Sequence, residues 1–393
     1  MRRRAALSGL AVMVLVALPA AAAAQSTADG VLSFVLAPRS ISTGDSRADA
    51  AAVTAVHDAL ADSLDVAAWL PAATSGGGFA FRPDSTLGGV AVRSSSSFGG
   101  FLTDRSLTTG RGRTTFGVHF RHLAFDSFDG RDLRDGTLVA MATRLSGEAA
   151  PIDRESLTLR INADVTTLAG TYGVSDRLDV TALVPLVRVS IDGQRVDTYR
   201  GESSQVSAGA ATASGTGDIQ IRGKYNLFRS ASTGASLTAA LRLPTGREED
   251  FLGRGETTIR PGVTWSFEQP RVAVDASFGV EAGSDTRNIA YGGAVTFGVA
   301  PRLVVVGEVA GRRVNSAWHL EQSVAPRPGS TGVDILRLTA TEGAAQQMTM
   351  VGGVKWNVLG SCVVSGNVMR RLTMDGLTAS WVPSLALEYV FAR

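Results

Sequence analysis

The stretch LRLPTGREEDFLGRGE, at residues 241–256, brings together residue types that could do chemistry. Glu248, Glu249 and Asp250 are adjacent acids, and glycines and arginines flank them. Such carboxylates could hold a divalent cation or act in acid–base catalysis, and glycines beside charge occur in phosphate-binding loops. The same composition is also that of a solvated hairpin loop. A Walker-type phosphate loop is excluded, because no Gly-Lys-Ser/Thr follows and the stretch leads into a strand instead of a helix.

The histidines give an enzyme little support. The chain contains His57, His119, His122 and His319. His119 and His122 are three residues apart on a predicted strand, so their side chains point to opposite faces, with His119 inward and His122 outward by the apolar pattern. Two histidines on opposite faces cannot share a metal ion. A Ser–His pair needs hydrogen-bond contact and a third group that orients the base, and the sequence has no G-x-S-x-G motif. We therefore predict no enzymatic activity, no metal and no cofactor.

The composition favours a membrane β-barrel. The 393 residues include 44 glycines and only 19% charged residues, and the mean hydropathy is +0.12. Beyond the N-terminus no uninterrupted apolar run is long enough for a membrane-spanning helix. In a transmembrane β-barrel, apolar residues alternate with polar ones instead of clustering. The single cysteine, Cys362, cannot form an internal disulfide.

The N-terminus has the three parts of a secretory signal peptide. Arginines at residues 2–4 precede an apolar run over residues 7–18 and a series of alanines that ends at Gln25. We predict that residues 1–24 are removed. Three arginines leave with them, so the 38 basic residues fall to 35 against 36 acidic ones. With no basic excess, the sequence predicts no nucleic-acid partner.

Residues 25–110 differ from the rest of the chain. An apolar strand is predicted at residues 31–36, and Asp45 or Ser46 should begin a helix. Its apolar face would contain Ala51, Val53, Val56, Leu60 and Leu64. The Gly/Ser-rich stretch that follows could form a small hairpin. This segment has too few apolar residues for a core of its own, so it should pack on the barrel, either as a plug in the lumen or on the periplasmic side.

Residues 111–393 have the period-two pattern of strands and predict an all-β, antiparallel up-and-down transmembrane barrel. About twelve strands (12–14) result if the apolar stretches at 137–145 and 334–341 extend extracellular loops. Five tight connections alternate with mostly longer ones, and the short side is periplasmic in this class. An even number of strands would place both chain ends in the periplasm. The apolar faces change near residues 166–167 and around Pro185, where we predict a bulge and a broken ladder.

The aromatic residues support this topology. Strands that descend to the periplasm should end in outward-facing rings at the level of the lipid headgroups. The predicted girdle consists of Tyr172, Tyr225, Phe228, Trp265, Phe267, Phe297, Trp356, Tyr389 and Phe391. All six descending strands contribute to it.

The C-terminal segment TASWVPSLALEYVFAR resembles the signal that outer-membrane barrels present to their assembly machinery. Ala392 and Arg393 follow the aromatic residue that normally ends this signal. The expected location is the outer membrane, with membrane lipid, lipopolysaccharide and the barrel assembly machinery as partners.

A run of motifs resembles a known family. The motifs are SGTGDIQIRGKYNLF, LTAALRLPTGREEDFLGRGETTIRPGVTWSF, and GGVKWN at residues 352–357. They resemble outer-membrane barrels of the meta-pathway phenol-degradation family. This resemblance implies a barrel that moves small hydrophobic or aromatic molecules, and it brings no catalytic residue.

Polar residues at inward positions define the candidate site. The predicted lumen-lining residues are Arg160, Asn162, Asp164, Gln220, Arg222, Lys224, Arg242, Arg260, Asp275, Glu281, Glu308, Arg312 and Lys355. Charges of both signs could close the lumen with salt bridges or line a path for a small-molecule solute.

Two functions remain open. The first is a channel for passive permeation of small hydrophobic or aromatic compounds, and the second is a structural outer-membrane barrel. A phospholipase-like barrel enzyme is a weaker alternative. In either case residues 244–255 form an extracellular loop with solvated acids, although these acids could also gather divalent cations while Arg247 and Arg254 meet lipid phosphates.

Overall fold

The computed structural model describes residues 27–68, 81–84, 90–93, 98–148, 150–284 and 287–391. The predicted signal peptide and its cleavage site lie outside these residues. Neither described helix is long and apolar enough to cross a membrane.

Twelve antiparallel strands form a closed barrel, as predicted. The strands are β1 (Thr114–Phe125), β2 (Asp153–Gly173), β3 (Leu178–Tyr199), β4 (Ile219–Arg229), β5 (Thr233–Leu243), β6 (Thr258–Glu268), β7 (Val272–Ala282), β8 (Arg287–Ala300), β9 (Leu303–Pro326), β10 (Val333–Asn357), β11 (Cys362–Arg371) and β12 (Trp381–Phe391). Each strand pairs with its neighbours in sequence. The barrel closes where β12 pairs with β1, for example through Phe391 opposite Thr114.

The end of the barrel with the longer connections carries additional strands. Leu138–Leu145 pairs with both β2 and β10, and Glu202–Thr216 pairs with β3. The predicted loop at 192–216 is therefore mostly a strand hairpin. The end with longer connections is extracellular in this class of barrel. Three short strands form a separate small sheet, namely Ser127–Phe128, Arg131–Asp132 and Leu377–Thr378.

Apolar residues change faces along β2 where the strand leaves the membrane. Near the periplasmic end, Leu168 and Tyr172 lie on the outer face, and Tyr172 is exposed. Farther up, Leu157 and Leu159 lie on the inner face and are fully buried. The register between β2 and β3 runs without a shift through this region, and Pro185 keeps its place in the ladder. The predicted bulge is therefore wrong, because the pattern follows a change of environment from lipid outside to protein inside. The predicted break at Pro185 is present on the other side of β3, where pairing with β4 ends at Leu183 and pairing with Glu202–Thr216 begins at Leu186.

Several other ladders are irregular. The pairing of β9 with β10 shifts between Val314 and Ala317, which is a β-bulge. Between β6 and β7, the paired residues jump from Ile259 to Gly262. Pro261 lies in that gap and has no backbone N–H to donate.

Helix α1 spans Ala28–Leu36, so the strand predicted at residues 31–36 is wrong. Thr27 caps the helix by accepting a hydrogen bond from the N–H of Gly30 at 3.1 Å. The buried residues recur at helical spacing. The apolar run at residues 31–36 is too short for this spacing to be told apart from that of a strand. They are Ala28, Val31, Leu32, Val35 and Leu36.

Helix α2 spans Ser46–Ala68 and begins where the sequence predicts. The Asp45 carboxylate accepts hydrogen bonds from the N–H groups of Arg47 and Ala48, at 3.1 and 3.0 Å. Ala51 is exposed, and the buried face consists of Ala52, Val56, Ala59, Leu60 and Leu64. The predicted hairpin in the next stretch is present as Phe81–Asp84 paired with Val90–Arg93.

Both helices lie at the extracellular end of the barrel. Helix α1 contacts β3 and Glu202–Thr216, and α2 contacts β9 and β10. The N–H of Ala28 donates to Asp250, in the connection between β5 and β6, at 3.4 Å. The chain before β1 therefore reaches the extracellular end, and the expectation that both chain ends lie in the periplasm is wrong for the N-terminal side.

Candidate functional site

The candidate site is the barrel lumen. Residues 98–110, which we call the plug strand, cross the periplasmic half of this lumen. Glu308 on β9 accepts hydrogen bonds from the N–H groups of Phe101, Leu102 and Thr103. The ammonium group of Lys355 on β10 donates to the carbonyl oxygens of Phe98 and Gly100 at 3.1 and 2.6 Å. It also lies 4.7 Å from the centre of the Phe101 ring. Two oppositely charged wall residues thus bind the backbone of the plug strand.

Farther along, the plug strand contributes a carboxylate to two basic wall residues. Asp104 forms ion pairs with Arg222 at 2.6 Å and with Lys224 at 3.7 Å. The Lys224 ammonium group also donates to the carbonyl oxygen of Arg105 at 3.3 Å. Asp104 and Lys224 are both buried, so the pair is shielded from solvent.

Ser106 is bound from three adjacent strands. Its N–H donates to the hydroxyl of Ser266 on β6 at 2.7 Å. Its carbonyl oxygen accepts from the Asn226 amide at 2.9 Å and from the Ser236 hydroxyl. Ser266 in turn donates to Asp275 at 2.6 Å, which orients the Ser266 oxygen toward the plug strand.

The plug strand leaves the lumen beside the turn between β2 and β3. The Asp179 carboxylate accepts from the N–H and hydroxyl of Thr109 at 2.7 and 3.1 Å. Gly173 permits the close approach, since an added Cβ there would lie 2.0 Å from the carbonyl oxygen of Gly110. A side chain at position 173 would therefore displace the plug strand.

At the extracellular mouth, a buried ion pair holds the linker between α1 and α2. Glu155 on β2 and Arg195 on β3 form the pair. Glu155 accepts from the backbone N–H groups of Ser40 and Ile41, both at 2.7 Å. Arg195 donates to the carbonyl oxygen of Leu36 at 2.7 Å.

A second set of polar contacts holds the start of α2. The buried Asp49 carboxylate accepts from the Thr43 hydroxyl at 2.7 Å, from the Ser42 hydroxyl at 2.9 Å and from Arg337 at 3.1 Å. Burial raises the pKa of Asp49, but the hydrogen bonds from Thr43, Ser42 and Arg337 outweigh it and hold the pKa below 3.8. Later in the helix, the Trp318 indole donates to Asp62 at 3.0 Å.

A cavity of about 130 Å³ lies between the plug strand and the wall formed by β4 to β11. Leu102, Thr103 and Asp104 line it on the plug side. The charged wall residues that line it are Arg222, Arg242, Arg260, Glu281, Arg312 and Arg371. Glu281 lies 3.4 Å from Arg312.

The predicted residues that do lie in the lumen fall into three groups. Those that contact the plug strand directly, or through Ser266, are Arg222, Lys224, Asp275, Glu308 and Lys355. Those that line the cavity, with Arg222 shared, are Arg242, Arg260, Glu281 and Arg312. Gln220 is buried on the same face of β4 and lies opposite Arg242.

Arg160, Asn162 and Asp164 are not in the lumen, which corrects the prediction. Arg160 is 64% exposed and faces Asp192 on the outer side of the barrel extension, which is the extracellular part of β2 and β3. Asp164 pairs with His122 at 2.7 Å, also on the outer face. In the extracellular part of β2 the polar residues contact water outside, and the apolar residues face the N-terminal helices inside. Reading the apolar side as lipid-facing therefore reversed the two faces.

The aromatic residues all lie near the periplasmic end of their strands. The exposed members are Tyr172, Tyr225, Phe228, Trp265, Phe297, Trp356, Tyr389 and Phe391. Phe267 is partly exposed and stacks on Trp265, with 6.3 Å between ring centres.

The connection 244–257 folds over the mouth. Glu248–Asp250 forms a single 3-10 turn, after which Phe251 adopts a left-handed conformation with φ of 56°. Asp250 is buried and pairs with Arg247 at 2.8 Å, so the solvated position predicted for all three acids is wrong for Asp250. Among the described residues, no group of three or more His, Cys, Asp or Glu side chains is placed to hold a metal ion.

Several residues that hold the N-terminal segment were not predicted from the sequence, namely Asp104, Asp179, Glu155, Arg195, Asn226, Ser236 and Ser266. Asn226, Ser236 and Ser266 occupy inward positions by simple alternation along their strands. Glu155 and Arg195 were hidden in stretches assigned to loops and extensions. Their partners are backbone groups of the N-terminal segment, which no side-chain pattern reveals.

The closed twelve-stranded barrel, with exposed apolar residues on its outer face and polar residues inside, has the fold of an outer-membrane β-barrel. Residues 149–325, a little under half of the chain, match the family model described as MetA-pathway of phenol degradation. This match confirms the predicted family resemblance over that range. No curated protein matches the chain in sequence.

Three solved structures have a similar arrangement. An outer membrane channel from Pseudomonas putida is 15% identical, covers 73% of this chain and 98% of its own, and has a TM-score of 0.47. The KdgM porin is 7% identical, covers 70% of this chain and 99% of its own, and has a TM-score of 0.37. A Pseudomonas aeruginosa FadL homologue is 9% identical, covers 72% of this chain and 90% of its own, and has a TM-score of 0.30.

Proposed function

We propose that this protein passes small hydrophobic or aromatic compounds across the outer membrane by passive permeation, and that the N-terminal segment up to residue 110 is its movable plug. The observation that carries the proposal is the way the plug strand is bound. Its contacts with the wall are polar hydrogen bonds and ion pairs, made by residues such as Glu308, Lys355 and Asn226. Water can replace such contacts at a net cost of about 0.5–1.5 kcal/mol for each neutral hydrogen bond and about 1.5–3 kcal/mol for each hydrogen bond to a charged group.

The wall around the plug strand is much harder to open. Every barrel strand is paired on both sides in a closed sheet, and unpaired backbone groups in lipid cost several kcal/mol each. Movement of the plug strand is therefore the easier route to an open lumen. At the mouth, helices α1 and α2 contact the extracellular parts of the strands, outside the membrane-spanning part of the barrel.

The size of the cavity and the family match support an aromatic solute. Cavities of roughly 150 Å³ accept a benzene-sized molecule, and the cavity beside the plug strand measures about 130 Å³. The matching family model is named for a phenol-degradation pathway. A barrel that admits such a compound would supply its degradation.

The structure offers a disulfide that tests plug movement. A Cβ placed at Gly234 would lie 3.7 Å from the Cβ of Ser106, within the range of about 3.5–4.5 Å found in disulfides. The double variant Ser106→Cys/Gly234→Cys, made in a Cys362→Ser background, should lock the plug strand to β5. Gram-negative cells that express it should take up a radiolabelled uncharged aromatic such as phenol several-fold faster after reduction than in the oxidised state.

A wall disulfide provides the matched control. The hydroxyls of Thr171 and Thr181 are 2.9 Å apart on neighbouring strands, so Thr171→Cys/Thr181→Cys links β2 to β3 and forms no covalent bond to the plug strand. Oxidation of this variant should leave uptake unchanged. Deletion of residues 25–105 should raise the conductance of the purified protein in planar bilayers.

Equal uptake in the oxidised and reduced plug variants, together with unchanged conductance after the deletion, would refute the proposal. Loss of the protein would then alter envelope integrity without altering uptake, which is the result expected of a structural barrel. We further propose that the aromatic girdle contacts lipid in the periplasmic leaflet of the outer membrane, that the barrel contacts lipopolysaccharide in the outer leaflet, and that β12 is recognised by the barrel assembly machinery.

A further inference from the structure

The cavity beside the plug strand has an excess of positive charge. Five arginines line it, whereas Asp104 and Glu281 are its only carboxylate residues among the described part of the chain. Both carboxylates are already engaged. Asp104 pairs with Arg222 at 2.6 Å, and Glu281 pairs with Arg312 at 3.4 Å and accepts from the Thr258 hydroxyl at 3.2 Å.

These pairs leave three arginines. Arg242 lies 4.0 Å from Asp218, and Arg371 donates to the carbonyl oxygen of Asp375 at 3.4 Å, so Arg260 is the one with no such contact. Within the described residues it makes neither an ion pair within 4.0 Å nor a hydrogen bond, yet its side chain lines the cavity. Its cross-strand neighbour on β5 is Ala240, and Arg222 lies opposite Ala240 on the other side. Two arginines on alternate strands therefore flank a small residue. Arg260 is half-buried, and the carboxylate nearest to it, that of Glu281, already pairs with Arg312. Partial burial removes part of the hydration of its guanidinium, which favours an added anion.

The rest of the wall is suited to a flat ring. Small residues line the cavity next to the arginines, among them Gly262, Gly279, Ala290 and Ala310. On the opposite side, Leu102 of the plug strand supplies an apolar surface. A ligand in this space would meet small and apolar groups over its body and guanidinium groups at its edge.

We propose that the cavity is a binding site for a small organic anion, namely a monocyclic aromatic carboxylate, whose carboxylate lies on Arg260 and whose ring lies against the small wall residues. The planar guanidinium of arginine matches a carboxylate with two parallel hydrogen bonds, which favours this anion over an uncharged ring. The inference rests on the proposed function and narrows its solute from aromatic compounds in general to those that carry a carboxylate.

Calorimetric titration of the purified full-length protein with benzoate and with benzyl alcohol tests the site. Benzoate should bind about tenfold or more tightly than benzyl alcohol, because its carboxylate forms charged hydrogen bonds with the guanidinium that the hydroxyl of the alcohol cannot match. Arg260→Gln should weaken benzoate binding by a similar factor and leave benzyl alcohol unaffected. Arg260→Lys, which keeps the charge without the planar fork, should have an intermediate affinity for benzoate.

Arg160→Gln is the matched control, since Arg160 is an arginine on the outer face of the barrel extension. It should leave benzoate binding unchanged, and the heat-modifiable gel mobility of each variant reports whether the barrel has folded. If Arg260→Gln does not fold, the Arg260→Lys comparison decides the same question.

The site is overturned if benzoate does not bind, if it binds no better than benzyl alcohol, or if both Arg260 variants bind it like the unmodified protein. Chloride that displaces benzoate at equal concentration would also overturn it, because the site would then bind simple inorganic anions. These outcomes are separate from the uptake experiment. If phenol uptake depends on the plug disulfide but benzoate does not bind, the proposed function stands and the site is wrong. If benzoate binds but uptake does not depend on the plug disulfide, only the site stands.

Discussion

Glu155 and Arg195 form an ion pair whose side chains are 0% and 1% exposed, and both partners bind the backbone that joins α1 to α2. A buried pair of this kind contributes little net stability when it is intact. Removal of one partner is different, because it leaves the other charge buried without compensation. The pair thus makes the position of the N-terminal helices dependent on two side chains.

Arg195→Ala should release the N-terminal helices from the mouth without unfolding the barrel. Breaking a buried ion pair costs about 3–5 kcal/mol, and here the substitution also removes the hydrogen bonds from Arg195 to the linker between the helices. Trypsin should then cleave after Arg39, which is exposed next to that linker, much faster than in the unmodified protein. Mass spectrometry of the released peptides measures this rate.

Arg160→Ala is the control for this experiment. Arg160 and Asp192 are 3.9 Å apart and more than half exposed, and such surface pairs contribute about 0–1 kcal/mol. Cleavage after Arg39 should be unchanged. Equal cleavage rates in both variants would show that the buried pair does not hold the helices.

Acid should loosen the start of α2 through Asp49. Hydrogen bonds hold the pKa of Asp49 below 3.8 in the folded protein, so the folded state favours the ionised form. The resulting stability is present at pH values above 3.8 and is lost as the pH falls through the lowered pKa. Hydrogen–deuterium exchange, corrected for the intrinsic effect of pH, should show constant protection at the start of α2 between pH 7 and pH 5 and reduced protection once the pH falls below the usual pKa of an aspartate.

Asp49→Asn separates this effect from other acid-sensitive groups. The variant loses a charged acceptor for Thr43 and Arg337, which should lower protection at neutral pH by about 1–3 kcal/mol. The acid-dependent loss at the start of α2 should disappear. If it persists unchanged, another carboxylate is responsible.

The predictable part of the fold is the part that obeys one rule throughout. In the membrane band, lipid lies outside and polar groups lie inside, so alternation along β4 to β8 places residues such as Arg242 and Asp275 correctly. The aromatic residues mark the periplasmic end for the same reason. Strand number and strand order follow from these two patterns.

The extracellular part breaks that rule, and prediction failed there. Once a strand leaves the membrane its outer face meets water, so Arg160 points outward while Leu159 packs against the helices inside. The sequence also shows no sign that α1 reaches the far end of the barrel. Its contacts, such as the N–H of Ala28 with Asp250, join residues that are far apart in the chain through backbone groups.

The boundary between the two regions can be tested with an added charge. Val263 on β6 is 49% exposed in the apolar band, and an arginine on the lipid face near the bilayer midplane costs about 2–4 kcal/mol. Val263→Arg should therefore lower the folded fraction in lipid vesicles, as measured by heat-modifiable gel mobility. Ser190→Arg, on the outer face of the β3 extension, should fold like the unmodified protein. Equal losses in both variants would contradict the proposed boundary.

The N-terminal helices should be accessible from outside the cell, although the first barrel strand begins in the periplasm. Arg47 is exposed in the first turn of α2, and nearby Gly44 lies against Pro328, at the tip of the β9–β10 hairpin. In a Cys362→Ser background, Arg47→Cys should react with a membrane-impermeant maleimide on intact cells. Ser230→Cys, in the short turn between β4 and β5, should react only after the outer membrane is permeabilised. If Arg47→Cys also requires permeabilisation, the helices lie on the periplasmic side. The segment before β1 would then not run through the lumen from the extracellular end.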